Sequence, residues 1–523
     1  MLSRSNAVGR CLRAGSDGRL ALRIRQAPAS IAGKSSRRLV ACGILLLAGC
    51  ALCGSASAQP APAFTETACD LPDVSPGILP RLRCGTVSVP RDYGLPGAGR
   101  LALAVVVVQS VDHPALPDPL LYISGGPGGP LTVYAGYQAA HPYAPGRDLI
   151  LVDQRGTGRS EPRLCPDLKG EFAGAIAAVA MGPEAPMQAR RRAVYAACRE
   201  QAAAQGIDLK DFGTSVTVED FNAVRQALGV ARWNVFGVSY GTTVAMTLMA
   251  RYPETVRAAV LDSVNPPDPL LPLHSSNVAA ARNAFFSFCN GNRACASAFP
   301  NLAGTYEDTL ERLKDAPPSV RLPAEMRHPG NQGPLTASLF EFVVGRLTYY
   351  PRFYPGLPRL IAMVHDGDTS VFAASLASLL AEAMDRDTGT SFAANAAVDC
   401  RDRPRYRTPT GSTDISEQLS LYGICDNWSE LGPPPVIPLN AEISTLVLAG
   451  EFDPNATPVV SRHIADLIGP HAQWVEFARS GHSVRSTTPC ASKIVADFVD
   501  QPTRPLDTSC ASQPEPISFL PRQ

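Results

Sequence analysis

Residues 237–241, near the middle of the chain, place a serine between two glycines in the order Gly-Val-Ser-Tyr-Gly. An apolar run at 233–236 precedes them, and a segment typical of a helix follows from Thr242. On a tight turn between a strand and a helix, a serine hydroxyl projects above the sheet, and the flanking glycines let the two elements approach closely. The helix N-terminus also favours negative charge that develops beside it. The pattern predicts that Ser239 is a nucleophile; the alternative is an ordinary strand–helix turn with a capping serine.

Short apolar runs and helix-like segments alternate on both sides of this turn. Runs typical of buried central strands recur at 120–123, 149–152, 258–261 and 445–448. Earlier, two β-branched runs flank a turn rich in glycine and proline, which is a hairpin signal. The alternation predicts the α/β class, with a mostly parallel sheet that helices cover on both faces.

The alternation stops after Asp262. A cluster of prolines begins at Pro266, and about 170 residues follow that a single strand–helix crossover does not need. Parts of this stretch are typical of helices. We predict an inserted, largely helical cap at 266–440, between two parts of one α/β core at 59–265 and 441–523.

The first 58 residues have the pattern of an export signal. They combine nine basic residues, an apolar run at 39–47 that is too short to span a bilayer comfortably, and Ala-Ser-Ala before Gln59. Residues 47–50, Leu-Ala-Gly-Cys, resemble a bacterial lipoprotein signal in which Cys50 carries the lipid. We expect an exported protein, periplasmic or extracellular, that is either anchored to a membrane through Cys50 or released by cleavage after Ala58.

Without this leader the chain is acidic. The leader holds nine basic residues and one acidic residue, which leaves 38 basic and 46 acidic residues and a formal net charge of −8. The remaining chain has no basic run, so its composition argues against nucleic acid as a partner.

Ten cysteines follow the leader, and an even number after an export signal predicts disulfides. The simplest pairing joins sequence neighbours, although the sequence leaves other pairings open: Cys69 with Cys84, Cys165 with Cys198, Cys289 with Cys295, Cys400 with Cys425, and Cys490 with Cys510. This part of the chain has no C-x-x-C or H-x-x-x-H spacing, so we predict no metal site.

A serine needs a base to become nucleophilic, and the base needs an acid to orient it. Where the serine lies on a turn of this kind, the acid and the histidine follow it in that order. Asp453 follows the strand-like run at 445–448, and His482 follows another at 473–477. Both therefore lie where strand ends deliver side chains to one crevice. We predict a catalytic triad of Ser239, Asp453 and His482.

Other acids and histidines fit less well. Asp262 also ends a strand-like run and is the alternative acid, whereas Glu451 is expected to lie beside the site. His463 lies within a helical pattern, and His471 precedes a strand at the wrong end.

Two backbone N–H groups are expected to stabilise the oxyanion of the reaction. One belongs to Tyr240, which follows the serine, and the other to Gly126 in the loop 124–130, Ser-Gly-Gly-Pro-Gly-Gly-Pro. The alternative for this loop is phosphate binding, but it lacks a lysine and its prolines remove N–H donors. A further segment at 153–160, Asp-Gln-Arg-Gly-Thr-Gly-Arg-Ser, is expected to be a structural turn in which the acid and an arginine pair beneath the site.

Taken together, these motifs resemble the prolyl iminopeptidase family of α/β-hydrolases. The similar segments are 125–130, 153–160, 237–241, Gly-Glu-Phe-Asp-Pro at 450–454 and Ser-Gly-His at 480–482. The long cap, the export signal and the segments around Cys400 and Cys425 are more similar to the secreted tripeptidyl aminopeptidase branch. The resemblance covers residues 69–499. One departure is Ser124, where relatives often carry histidine.

The resemblance implies an α/β-hydrolase fold with a helical cap, hydrolysis at free peptide N-termini, and no metal or organic cofactor. It also implies acidic cap residues that bind the α-ammonium group of the substrate, for which Glu341 and Glu382 are the candidates. We therefore expect an exported serine aminopeptidase that acts on peptide substrates through an acyl-enzyme, with no obligatory protein partner. A carboxylesterase or amidase with the same triad is the alternative, and a non-catalytic binding module is the third hypothesis.

Overall fold

The described strands build one nine-stranded sheet and a separate two-stranded hairpin. The computed structural model describes residues 61–95, 97–141, 144, 146–166, 168, 184–267, 274–326, 329–384, 390–407, 424–428, 430–439, 441–486 and 488–522. The predicted export signal, including Cys50, lies outside these residues. The strands are β1 (Phe64–Thr67), β2 (Leu82–Pro90), β3 (Arg100–Val108), β4 (Leu120–Ile123), β5 (Leu149–Val152), β6 (Trp233–Val238), β7 (Val256–Asp262), β8 (Ser319–Arg321), β9 (Gln332–Pro334), β10 (Ser444–Gly450) and β11 (Ala472–Phe477).

The large sheet has the order β1-β2-β3-β5-β4-β6-β7-β10-β11. The pairs β1–β2, β2–β3 and β3–β5 are antiparallel, and every later pair is parallel. The central strands β4 and β5 are apolar at every position and fully buried, as expected for parallel strands covered on both faces. Parallel pairing places the carboxyl ends of β6, β7, β10 and β11 at one edge of the sheet.

Helices pack on both faces of this sheet. The described helices are α1 (Ala135–Ala140), α2 (Glu184–Ala204), α3 (Thr214–Ala227), α4 (Tyr240–Arg251), α5 (His274–Gly291), α6 (Arg293–Ala298), α7 (Leu302–Asp315), α8 (Ala337–Thr348), α9 (Leu357–His365), α10 (Ser370–Met384), α11 (Phe392–Asp402), α12 (Pro458–Ile468) and α13 (Pro489–Asp500). Helices α3, α4 and α12 bury Phe221, Val244 and Ile464 in one cluster. On the opposite face, α1 and α13 bury Ala139 and Phe498. None of the helices in the described ranges is long and apolar enough to cross a membrane.

The chain between β7 and β10 forms the inserted, largely helical cap that the sequence predicts. Helices α5–α10 and the β8–β9 hairpin pack around a separate hydrophobic cluster, in which Phe285, Phe340 and Phe372 are buried. Helix α11 belongs to the same insertion but buries Ala393 and Ala397 in the cluster that it shares with the sheet. The cap is therefore a helical unit plus one helix that is part of the core packing. Its bounds at 266–440 stay a prediction.

Five disulfides link cysteines of the described chain, and all join sequence neighbours, as in the simplest predicted pairing. The pair Cys289–Cys295 lies within the cap, and Cys400–Cys425 fastens the end of α11 to residues 424–428. Disulfides of this kind persist in oxidising compartments.

Candidate active site

Ser239 occupies the sharp turn between β6 and α4. Its φ of 55° and ψ of −126° lie in a region that residues other than glycine rarely adopt. Close backbone contacts require both flanking glycines. A Cβ on Gly237 would lie 2.4 Å from the carbonyl oxygen of Gly241, and a Cβ on Gly241 would lie 2.3 Å from that of Ile123. Ser239 therefore has the local geometry of a nucleophile elbow.

The carboxylate of Asp453 contacts the imidazole of His482. Nδ1 of His482 lies 2.9 Å from Oδ1 and 2.8 Å from Oδ2, and both side chains are buried. The backbone N–H groups of Asn455 and Ala456 also donate to Oδ1, at 2.8 and 2.9 Å. An Nδ1–H group that donates to the carboxylate leaves Nε2 as the basic nitrogen of the ring. Nε2 is buried and forms no hydrogen bond with any residue in the described ranges.

The strand order brings the three predicted triad residues to one edge of the sheet. Ser239 follows β6, Asp453 follows β10 and His482 follows β11, and these strands run parallel within one half of the sheet. Within the described structure, Ser239 and His482 form no direct hydrogen bond. In unliganded enzymes such hydrogen bonds are often long and shorten when the substrate binds.

Asp262, the alternative acid, connects the serine turn to the loop that follows His482. Its buried carboxylate accepts hydrogen bonds from the backbone N–H groups of Val484 and Arg485, at 2.9 and 3.0 Å. Its carbonyl oxygen accepts the N–H of Ser239 at 3.0 Å. Burial raises the pKa of the Asp262 carboxyl. These contacts favour Asp453 as the acid that orients the imidazole, with Asp262 as a support for the loop.

The loop 124–130 passes directly against Ser239. A Cβ on Gly125 would lie 2.8 Å from the Cβ of Ser239 and 3.4 Å from its Oγ, so a glycine is needed for this approach. The next residue, Gly126, has a φ of +118°, which favours glycine. Tyr240 is the first residue of α4, where backbone N–H groups have no partner within the helix. Tyr240 therefore follows Ser239 in sequence, and Gly126 follows the glycine that contacts Ser239; the role of both as oxyanion donors stays a prediction.

The first turn of α11 supports this glycine-rich loop. The N–H of Ser391 donates to the carbonyl oxygen of Gly128 at 2.9 Å. The side-chain amide of Asn395 donates to the carbonyl oxygen of Pro127 at 3.1 Å. Helix α11 thus fixes the conformation of the loop through directional hydrogen bonds.

The last turn of α11 is connected to the first residue of α4 through Thr214. The Asp402 carboxylate accepts hydrogen bonds from the backbone N–H and the hydroxyl of Thr214, at 2.8 and 2.6 Å. The Thr214 hydroxyl in turn contacts the hydroxyl of Tyr240 at 2.9 Å. Burial raises the pKa of Asp402 to about 6. A buried polar network therefore connects this helix to the residue that follows Ser239.

The segment 153–160 is a structural turn, but its predicted internal ion pair is wrong. Asp153 Oδ1 accepts hydrogen bonds from the backbone N–H groups of Leu131 and Thr132, at 2.6 and 2.9 Å. Arg155 instead forms a buried bidentate pair with Asp220 of α3, at 2.6 and 2.7 Å. The prediction failed because backbone donors already satisfy the Asp153 carboxylate, and the arginine reaches a helix that the motif does not contain.

The two acidic cap residues have different outcomes. Glu341 lies on α8, where its carboxylate pairs with Arg282 of α5 at 3.1 Å. Because this ion pair already balances its charge, the geometry does not favour Glu341 as a ligand for a substrate ammonium group, and that role stays a prediction. Glu382 belongs to α10, but its side chain lies outside the described part of the structure. Glu451, expected beside the site, accepts the N–H of Arg479 at 2.8 Å.

Sequence reasoning missed one residue that contacts His482. The ring of Tyr349 stacks on the imidazole, with 4.3 Å between the ring centroids and 29° between the planes. Its carbonyl oxygen accepts the backbone N–H of His482 at 3.1 Å. Tyr349 lies in the cap, far from either core segment in sequence, and no motif marks it. The signal present is the aromatic pair Tyr349-Tyr350 that ends an apolar helix.

The arrangement is suited to acyl transfer. It combines a hydroxyl on a strained turn, a buried imidazole held by a carboxylate, and a glycine-rich loop that passes against the serine. Across the described ranges, no group of three His, Cys, Asp or Glu side chains is placed to hold a metal ion.

Comparisons with known proteins find peptidases whose sequences are similar to this chain. The chain is 33% identical to tripeptidyl aminopeptidase of Streptomyces coelicolor over 196 residues, which are 36% of this chain and 36% of the relative. It is 27% identical to serine protease Hip1 of Mycobacterium tuberculosis over 348 residues, 61% of this chain and 63% of the relative. It is 24% identical to proline iminopeptidase of Neisseria gonorrhoeae over 147 residues, 28% of this chain and 32% of the relative.

These names confirm the resemblance that the motifs predicted, although the chain spans only about a third of the length of the tripeptidyl aminopeptidases that it matches. The family model of the alpha/beta hydrolase fold matches residues 118–485, which is more than two thirds of the chain and includes every predicted triad residue. The sheet order and the elbow at Ser239 agree with that match. The chain therefore belongs to the α/β-hydrolase fold family.

Proposed function

We propose that this protein is an exported serine peptidase that releases short peptides or proline-containing residues from free peptide N-termini. The observation that carries the proposal is the buried Asp453–His482 pair at the sheet edge where Ser239 occupies a strained turn. The names of the relatives, a tripeptidyl aminopeptidase and a proline iminopeptidase among them, support peptide substrates.

The triad performs the reaction in two acyl-transfer steps. Ser239 Oγ attacks the scissile carbonyl carbon while Nε2 of His482 takes its proton, and Asp453 stabilises the imidazolium. The N–H groups of Tyr240 and Gly126 stabilise the oxyanion. The C–N bond then breaks as the imidazolium gives its proton to the leaving amine, and the N-terminal fragment remains as an ester on Ser239. Water attacks this ester by the same route, which releases the fragment as a carboxylic acid and restores the serine.

Export is supported by two independent features. The first 58 residues have the pattern of a signal sequence, and five disulfides are typical of a protein that folds in an oxidising compartment. Lipid attachment at Cys50 would anchor the enzyme to a membrane, and cleavage after Ala58 would release it. Mass spectrometry of the mature N-terminus separates these two fates.

Activity tests separate the aminopeptidase from its alternatives. We expect the wild type to cleave a tripeptide p-nitroanilide with a free N-terminus at least tenfold faster than the same peptide with an acetylated N-terminus. Ser239→Ala is expected to fold normally and to lose turnover by a factor of about 10⁴ or more. Ser88→Ala, at an exposed serine on β2, is the matched control and keeps full activity.

Each other outcome overturns a different part of the proposal. Equal cleavage of free and acetylated peptides removes the requirement for a free N-terminus. Hydrolysis of p-nitrophenyl esters without cleavage of peptides favours the carboxylesterase. Activity retained in Ser239→Ala removes the triad.

A further inference from the structure

The cap contacts His482 through the segment that follows α8. This segment runs from Tyr349 through a short 3-10 helix, Pro351–Phe353, to the buried Tyr354. In sequence it lies between the cap helices α8 and α9, so the motifs of the core do not predict where it lies. It nevertheless meets the imidazole directly, through Tyr349.

Tyr349 holds the imidazole from one face. The two rings are stacked, with 4.3 Å between their centroids and 29° between their planes. Asp453 contacts the Nδ1 atom of the imidazole, at 2.8 Å. A hydrogen bond at one edge still permits the ring to tilt about that contact, whereas a stacked neighbour opposes the tilt. The two contacts together fix the direction in which Nε2 points.

Tyr349 also holds the backbone of the histidine. Its carbonyl oxygen accepts the N–H of His482 at 3.1 Å. A Cβ on the preceding residue, Gly481, would lie 2.5 Å from that same oxygen, so the two segments are in tight contact. The Tyr354 hydroxyl donates to the carbonyl oxygen of Thr348 at 2.8 Å, which fixes the cap segment from behind. The cap segment is therefore itself held in place, and it packs tightly against the backbone of the histidine.

We propose that Tyr349 is a positioning residue that orients the His482 imidazole toward Ser239, so that the cap supplies part of the catalytic geometry. The inference rests on the proposed function, because it assigns His482 as the base. If Tyr349 only packed the cap, its substitution would lower stability. If it bound substrate, its substitution would raise KM. A positioning role instead changes the reactivity of Ser239 itself.

The test measures how fast Ser239 reacts with diisopropyl fluorophosphate, a small reagent that needs the base but makes few contacts with the cap. Tyr349→Leu removes the ring, and Tyr349→Phe keeps it. We expect Tyr349→Leu to lower both the inactivation rate and kcat for a tripeptide p-nitroanilide about tenfold, with KM within about twofold of the wild type. Tyr349→Phe should keep both rates at the wild-type level, because the stack needs the ring and not the hydroxyl.

The control is Phe353→Leu, which removes a half-buried ring from the same segment; this ring meets Tyr350 edge to face. This variant should react like the wild type. Should Tyr349→Leu fail to fold, as judged by circular dichroism, Tyr349→Met replaces it and fills more of the vacated volume.

The inference is overturned if Tyr349→Leu reacts at the wild-type rate, or if Tyr349→Phe loses as much as Tyr349→Leu. Ser239→Ala distinguishes this failure from failure of the proposed function. If Ser239→Ala is inert while Tyr349→Leu behaves as the wild type, only the positioning role is lost. If Ser239→Ala still hydrolyses the peptide, the triad itself is wrong.

Discussion

The cap meets the acid–histidine side of the site mainly through aromatic rings, beside a hydrogen bond from the N–H of His482 to Tyr349, and it meets the serine side through hydrogen bonds to the glycine-rich loop. On the first side, Phe452 precedes Asp453 in sequence but is buried in the hydrophobic cluster of the cap. Its ring centroid lies 5.5 Å from the ring centroids of Phe285 and Tyr354. On the second side, Asn395 of α11 donates to the glycine-rich loop next to Ser239.

The two kinds of contact have different consequences. Burial of apolar surface is strong but non-directional, so it fixes which surfaces meet. A single hydrogen bond adds only about 1 kcal/mol to stability but requires a defined direction. We therefore expect loss of a fully buried ring on the acid–histidine side to affect stability most, and loss of a loop hydrogen bond on the serine side to affect turnover with little loss of stability.

The largest effect is expected at Phe452. Phe452→Ala leaves a cavity among the cap aromatics and should lower the free energy of unfolding by about 3–5 kcal/mol. Urea unfolding followed by tryptophan fluorescence measures this change. Phe353→Ala removes a half-buried ring from the same cap and should lower the free energy of unfolding much less. A loss below about 1 kcal/mol for Phe452→Ala would show that apolar packing does not join the cap to the acid loop.

The same contrast explains what the sequence predicts and what it hides. The serine side follows from short motifs: Gly237 is required by a contact within the turn, Gly241 by a contact with Ile123, and Gly125 by contact with Ser239. Local backbone geometry of this kind produces a motif. The stack of Tyr349 on His482 depends on how the cap folds over the core, and no short pattern encodes that distance.

The failed pairing in 153–160 has the same origin. The motif correctly indicates a turn, because turn conformation is local. The partner of Arg155 is Asp220, on a helix that begins more than 50 residues later. Which charged groups meet in the core depends on strand order and helix placement, so the sequence predicts the presence of a buried arginine better than its partner.

An intermediate effect is expected at the first turn of α11. Asn395→Ala removes the donor to Pro127, so the loop beside Ser239 loses one fixed contact, and kcat should fall about fivefold with little change in Tm. Ser391→Ala is the matched variant. It removes a side-chain cap that accepts the N–H of Ala394, but it keeps the backbone N–H that donates to Gly128. It should lower the free energy of unfolding by about 1 kcal/mol and keep kcat. If both variants change kcat equally, the loop is not held by the Asn395 side chain.

The smallest effect concerns pH and the last turn of α11. Burial raises the pKa of Asp402 from 3.8 to about 6. The folded protein therefore binds this proton more tightly than the unfolded chain, and the free energy of unfolding falls as the pH rises from about 4 through 6. Between pH 5 and 7 this group should lower the free energy of unfolding by about 1 kcal/mol. Asp402→Asn cannot titrate and should lack that part of the pH dependence, which urea unfolding at both pH values measures. Equal slopes in the two proteins would mean that Asp402 is ionised throughout this range. A steeper pH dependence in the wild type would show that Asp402, in the buried polar network on the serine side, makes the free energy of unfolding depend on pH in this range.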